Sequence, residues 1–254
     1  MPVKFGLVGQ SLSHSFSRDF FTQKFAAMGL TDHVYELFEL KTIDAFPTLV
    51  KQEPQLVGLN VTIPYKIAVM AYLNSVSHEA RAAGAVNTIK INRKGTAVNL
   101  TGYHTDVYGF EMSIKPFLES RHQRALVLGT GGASKAVQYV LKKLGIDFIV
   151  ISRNPDNRNQ HNQLAYGDIN EHMVKHHLFV VNTTPVGMAP DTGASVDFPY
   201  NYITPGHFLV DLIYNPAETV FLQKARQKGA RILNGTTMLH LQAEKAWEIW
   251  NTHE

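Results

Sequence analysis

The 254-residue chain has no cysteine. That excludes a disulfide framework, a thiolate metal site and a cysteine nucleophile, and it agrees with a reducing cytosol. No apolar run approaches the roughly 18 residues that suggest a membrane span. The start, MPVKFGLVGQ, lacks the apolar centre of a secretion signal. The expectation is a soluble, cytoplasmic protein without a membrane partner. Basic residues barely outnumber acidic ones, 24 to 21, and form no block or stripe. Nucleic acid is therefore not the expected partner, and the small positive balance suits small anionic ligands equally well. Twelve histidines occur without H-E-x-x-H or a related spacing. No metal is expected, and the histidines read as solvated, His176-His177 among them. No internal repeat or low-complexity segment is evident.

What is present centres on Arg124 to Ser152, RALVLGTGGASKAVQYVLKKLGIDFIVIS. A short apolar run (Ala125, Leu126, Val127, Leu128) meets a glycine turn (Gly129, Gly131, Gly132). A helical pattern follows, in which Ala133, Val137, Val140 or Leu141, and Leu144 recur every three or four residues. Gly145 ends that helix, and a second apolar run spans Phe148 to Ile151. Strand, turn, helix, strand is the unit whose glycines let backbone N–H groups approach a pyrophosphate at the positive end of a helix. In G-x-G-x-x-G terms the sixth position is Ser134.

After the second strand an NAD site usually carries an acidic residue for the ribose 2′-OH. Here the chain reads Ser152-Arg153-Asn154. A guanidinium binds a 2′-phosphate through paired charge-assisted hydrogen bonds, which predicts NADP(H) as the cofactor. Arg158 is a second candidate charge.

The first half alternates strands and helices of its own. Val3 to Val8 and Val34 to Leu40 read as strands, Ser17 to Met28 as a helix stopped by Gly29, and Leu56 to Ile63 as a mixed segment closed by Pro64. Val86 to Ile91 and Ala97 to Thr101 read as a hairpin. A helix from about Thr105 to Ser120, broken near Pro116, leads into the glycine unit. Leu178 to Val181, Phe208 to Leu212 and Arg231 to Leu233 follow as strands, with Ala217 to Lys228 and Met238 to Trp250 as helices. The fold class predicted is α/β: an N-terminal α/β substrate domain with a mixed sheet over 1–104, then a Rossmann-like, doubly wound parallel-sheet NADP domain over 105–235. Residues 236–254 form a C-terminal helix expected to return to the first domain.

A hydride cofactor leaves a proton to be moved, and two ionisable groups in turn-rich settings are candidates: Lys66, after Asn60-Val61-Thr62-Ile63-Pro64-Tyr65, and Asp106, after Gly102-Tyr103-His104-Thr105. Spacing alone does not put them in contact.

Taken together, Ser13-His14-Ser15-Phe16-Ser17, Asn60 through Lys66, Ala83-Gly84-Ala85-Val86-Asn87-Thr88, Thr105-Asp106, Gly129 through Ser134, Asn182-Thr183-Thr184-Pro185 with Gly187-Met188, Tyr214-Asn215-Pro216 and Gln242 resemble the shikimate dehydrogenase family. The blocks keep the family's order over nearly the whole chain. The resemblance implies NADPH-dependent, reversible reduction of 3-dehydroshikimate to shikimate, a step of aromatic amino-acid biosynthesis through chorismate. It implies Lys66 as acid/base with Asp106 as its partner. Ser15, Ser17, Thr62, Asn87, Asp106, Tyr214 and Gln242 would hold the substrate. Gly129, Thr130, Gly131, Gly132, Ala133, Ser152, Arg153, Asn154, Thr183, Leu212 and Gly235 would hold NADP(H), in a monomer or homodimer.

Each role has a plainer competitor: Ser17 as a helix N-cap, Asn87 in a turn, Tyr214 in the core, Gln242 solvated on a helix, Met188 and Met238 as packing. Four positions depart from the family pattern: Arg18 for proline, His104 for asparagine, Ser152-Arg153-Asn154 for Asn-Arg-Thr, and Asn234-Gly235-Thr236-Thr237 for a more glycine-rich form. Two further readings stand beside the first, a quinate/shikimate dehydrogenase and a catalytically silent NADP- or shikimate-binding sensor.

Overall fold

The computed structural model describes residues 2–12, 15–155 and 163–252; Ser13, His14 and Arg158 lie outside them. The chain divides into two compact units, Met1–Tyr108 with Gln242–Glu254, and Gly109–Leu241.

The first unit contains β1 (Val3–Gly9), α1 (Phe16–Ala27), β2 (His33–Glu39), α2 (Phe46–Gln52), β3 (Leu56–Val61), β4 (Ser75–Val76), α3 (His78–Ala83), β5 (Thr88–Lys94) and β6 (Ala97–Tyr103). Its sheet runs β2-β1-β3-β5-β6-β4 and is mixed: β1 pairs in parallel with β2 and β3, whereas β5 is antiparallel to β3 and β6. Strand periodicity sends β1 side chains to both faces. Phe5 and Leu7 join Phe21, Phe25, Tyr35 and Trp250 on one side, and Val8 joins Phe46, Leu59 and Ile89 on the other. Trp250 explains a glycine inside β3. Its indole N–H donates to the Ile89 carbonyl at 3.0 Å, and a Cβ on Gly58 would stand 2.5 Å from that ring nitrogen.

Next come α4 (Thr105–Ile114), β7 (Arg124–Leu128), α5 (Gly132–Lys143), β8 (Asp147–Ser152), β9 (Gln163–Ala165), α6 (Glu171–His176), β10 (Phe179–Asn182), β11 (Phe208–Asp211), α7 (Val220–Gln227), β12 (Arg231–Leu233) and α8 (Thr236–Asn251). Strands β7 to β12 form a parallel sheet in the order β12-β11-β10-β7-β8-β9. Its inner strands are buried on both faces, which is why they read as unbroken apolar runs. Chain direction across the sheet reverses between β7 and β10, the switch point where open parallel sheets bind ligands beyond their carboxyl ends.

Several boundaries moved for local reasons. The helix expected to reach Ser120 stops at Ile114, and Pro116 sits in a 3-10 turn, Lys115–Phe117. Strand β5 begins at Thr88 rather than Val86, because the Val86 amide bonds the Lys66 carbonyl at 2.8 Å instead of a sheet neighbour. The histidines are not uniformly solvated: His104, His122 and His207 are buried. Burial lowers the pKa of His122 and His207. Met238 packs as expected, but Met188 is exposed.

Candidate active site

In the first unit, the turn after β3 and the start of α4 bring together two residues forty positions apart. Lys66 Nζ donates to Asp106 Oδ2 at 2.6 Å, with 18% of the lysine side chain and 9% of the aspartate side chain exposed. Asn87 sits behind the pair. Its amide donates to Asp106 Oδ1 at 2.8 Å and to Thr105 Oγ1 at 3.0 Å, and its oxygen accepts the Thr105 N–H at 2.7 Å. Both carboxylate oxygens are thereby engaged, and His104 Nδ1 lies 3.9 Å from Oδ2. Burial opposes ionisation of Asp106. The charges of Lys66 and His104 and the hydrogen bonds from Lys66 and Asn87 outweigh it, holding the carboxyl below the ordinary range.

Other candidates join through the same network. Thr105 Oγ1 meets Gln242 Oε1 at 3.3 Å, and Gln242 is buried rather than solvated. Asn60 donates to Thr88 Oγ1 at 3.2 Å and accepts from the buried Tyr35 hydroxyl at 2.7 Å. Burial raises the pKa of that hydroxyl far above the ordinary value, opposed by a hydrogen bond with Ser17. The capping residue of α1 is Ser15, which accepts from the Arg18 N–H at 3.3 Å; Ser17 lies in the first turn. Thr62 packs by its methyl against Gly9, where a Cβ would approach to 2.7 Å.

The second unit carries the remaining candidates. Gly129 turns the chain out of β7 at φ 109°, a region L side chains rarely adopt. A Cβ there would stand 2.7 Å from Thr183 Oγ1. Ser134, fully buried, donates its hydroxyl to the Gly129 carbonyl at 2.7 Å, so the residue that breaks the glycine pattern ties the turn together. Helix α5 begins at an N-cap glycine, Gly131, with no side-chain cap bond among the described residues and open space where a Cβ would be. An uncapped start of a twelve-residue helix fits a phosphate. At the end of β8, Ser152 Oγ accepts the Asn154 N–H at 3.2 Å, and the exposed Arg153 lies between them. Gly235 fits against Leu212 so closely that a Cβ would fall 2.0 Å from its carbonyl oxygen. Tyr214, expected among the substrate contacts or in the core, lies on the loop after β11 and is 40% exposed. The described residues hold no group of three or more side chains suited to a metal, and no described helix is long and apolar enough to cross a membrane.

A glycine turn at a sheet's switch point and a paired lysine on a separate α/β unit define the class as a dinucleotide-dependent oxidoreductase. Comparison with known proteins gives the family. The model of the shikimate dehydrogenase substrate binding domain matches residues 7–89. Shikimate dehydrogenase (NADP+) of Caldanaerobacter subterraneus is 36% identical, covering 97% of this chain and 90% of that protein. Shikimate 5-dehydrogenase of Thermus thermophilus, solved with NADP(H) and shikimate, superposes with a TM-score of 0.83 at 31% identity, over 98% of this chain and 93% of the other. Quinate dehydrogenase of Corynebacterium glutamicum, solved with NAD, gives 0.86 at 28% identity, over 98% and 94%. The chain belongs to the shikimate dehydrogenase family.

Proposed function

We propose that this protein reduces 3-dehydroshikimate to shikimate with NADPH, reversibly, with Lys66 as acid/base. The observation that carries the reading is the 2.6 Å contact between Lys66 and Asp106. Asp106 is held ionised, accepts from the ammonium and fixes where its remaining protons point. When bound, NADPH supplies the hydride. Lys66 delivers a proton to the ketone oxygen as negative charge develops there, and takes it back from the alcohol in the reverse direction. Asn87, through its hold on Asp106, and Gln242 would complete the setting for the ring hydroxyls. Ser15 and Ser17 would bind the substrate carboxylate through their hydroxyls, with Thr62 and Tyr214 completing the set.

For the cofactor, Gly129 to Ala133 would hold the pyrophosphate on the open N–H groups of α5. Ser152, Arg153 and Asn154 would hold the adenosine end, and Thr183, Leu212 and Gly235 the nicotinamide end. A guanidinium after β8, with no carboxylate beside it in Ser152-Arg153-Asn154, favours the 2′-phosphate of NADP(H).

The likeness to a quinate dehydrogenase supports a second reading, in which quinate is also a substrate. Initial rates with shikimate and quinate, each with NADP+ and NAD+, test both. Turnover of shikimate with NADP+ far above the other three pairs is expected; equal or faster quinate oxidation with NAD+ would favour the second reading.

A further inference from the structure

We propose that Asp211 is a positioning residue for the cofactor, its buried carboxylate fixing the loops after β10 and β11 in the shape that receives the nicotinamide end of NADP(H). The proposal rests on the reading that the second unit binds this cofactor.

Asp211 closes β11 and has 0% of its surface exposed. Its Oδ1 accepts the Ile213 N–H and the Asn182 amide, each at 3.1 Å, and its Oδ2 accepts the Thr219 hydroxyl at 2.6 Å. Asn182 closes the neighbouring strand and is equally buried. Its oxygen accepts the Thr184 N–H at 3.0 Å and the Thr184 hydroxyl at 2.7 Å, and its carbonyl accepts the Leu212 N–H at 3.0 Å. Two residues of the cofactor set are therefore flanked by this network. Thr183 lies between Asn182 and Thr184, and Leu212 between Asp211 and Ile213. The third, Gly235, donates its N–H to the Ile213 carbonyl at 3.0 Å.

The groups that hold Asp211 are all neutral: Thr219, the Ile213 amide and Asn182. Among the described residues Tyr200, itself weakly acidic, shares its field, and the side chains that shift the carboxyl include no lysine, arginine or histidine. Burial pushes its pKa up to about 6, against the pull of its hydrogen bonds. An unpaired buried charge is a poor way to gain stability, since neutral groups of the same shape cost less to bury. What the charge adds is bond strength, because hydrogen bonds to an ionised acceptor are roughly twice as strong as neutral ones. Three such bonds reach the last residue of β10, the second residue after β11 and the cap of α7. The carboxylate trades stability for a fixed loop.

The test measures NADP+ dissociation constants for the full chain and for D211N, D211A, T219V and T219S. Shikimate binding and unfolding free energy are followed alongside. D211N keeps the shape and an acceptor for Ile213 and Asn182 without the charge. It is expected to fold, to bind shikimate as the parent does and to bind NADP+ several-fold more weakly. D211A, which strands buried donors, is expected to lose about tenfold or more. T219V is expected to weaken NADP+ binding and T219S to restore it. A weaker binder that is no less stable separates positioning from general damage. If D211A does not fold, D211N and the Thr219 pair decide. Parent-like NADP+ affinity in D211N and T219V would overturn the role of Asp211. Failure of the parent chain itself to bind NADP+ would overturn the cofactor reading and this inference with it.

Discussion

The Asn87 side-chain amide lies 2.8 Å from Asp106 Oδ1, on the carboxylate oxygen that Lys66 does not use. Asn87 thus holds one carboxylate oxygen and Lys66 the other, and in the proposed reading the lysine's remaining protons face the substrate. Replacing Asn87 by Ala removes that support and leaves the Thr105 N–H without its acceptor. A fall in kcat/KM for shikimate of about ten- to a hundredfold is expected, with NADP+ affinity unchanged. Initial rates at varied shikimate and at varied NADP+ separate the two effects.

Asp106 also has a defined effect on stability. Its pKa is depressed in the folded chain, so on acidification the unfolded state takes up its proton first. The contribution is present above the ordinary aspartate value of 3.8 and is lost as pH falls through the lower folded value. Asp106→Asn is expected to cost about 1–3 kcal/mol at neutral pH. The gap between parent and variant should close only below about pH 4. Urea unfolding at a series of pH values measures it; a gap that stays constant to pH 2 would mean the pair adds nothing.

Arg153 gives a test of cofactor choice. Loss of a paired, charge-assisted contact to the 2′-phosphate should weaken NADPH by roughly ten- to a hundredfold in Arg153→Ala. NADH has no such group and should change little. Equal weakening of both, measured by fluorescence titration, would assign the arginine elsewhere.

Asp211 behaves in the opposite sense to Asp106. Its folded pKa of about 6 lies above the unfolded 3.8, so its contribution is fully present below about pH 4 and is lost as pH rises through 6. A shift of that size corresponds to about 3 kcal/mol. Asp211→Asn should therefore gain on the parent by up to about 3 kcal/mol between pH 4 and pH 7. Chemical denaturation at those two values checks the sign as well as the size.

The sequence made the β7–α5–β8 unit legible because its apolar spacing changes period where the structure changes, at Gly129 and again at Gly145. The place of Arg153, in the turn after the second strand, was legible too. The Lys66–Asp106 contact was not, since forty residues of chain give no distance, and only the resemblance put the two in one site. Plain helix-cap logic pointed to Ser17, whereas the cap is Ser15, because the helix starts one residue earlier, at Phe16. Ser134 reads as a flaw in the glycine motif, and its hydroxyl is what closes the turn. Asp211 carried no signal: an aspartate ending a strand is common, and its partners come from three separate stretches of chain. Asn87 looks like a turn residue by type, yet it is buried and makes bonds through both ends of its amide.

In the proposed reaction Lys66 moves the proton. Shikimate oxidation by NADP+ in the parent chain and in Lys66→Ala, with shikimate binding to each measured separately, decides that role. Rapid turnover by the parent is expected, with a loss in kcat of about a hundredfold to ten-thousandfold in the variant and shikimate affinity changed by far less. A variant that keeps the parent's kcat and loses only affinity would contradict it.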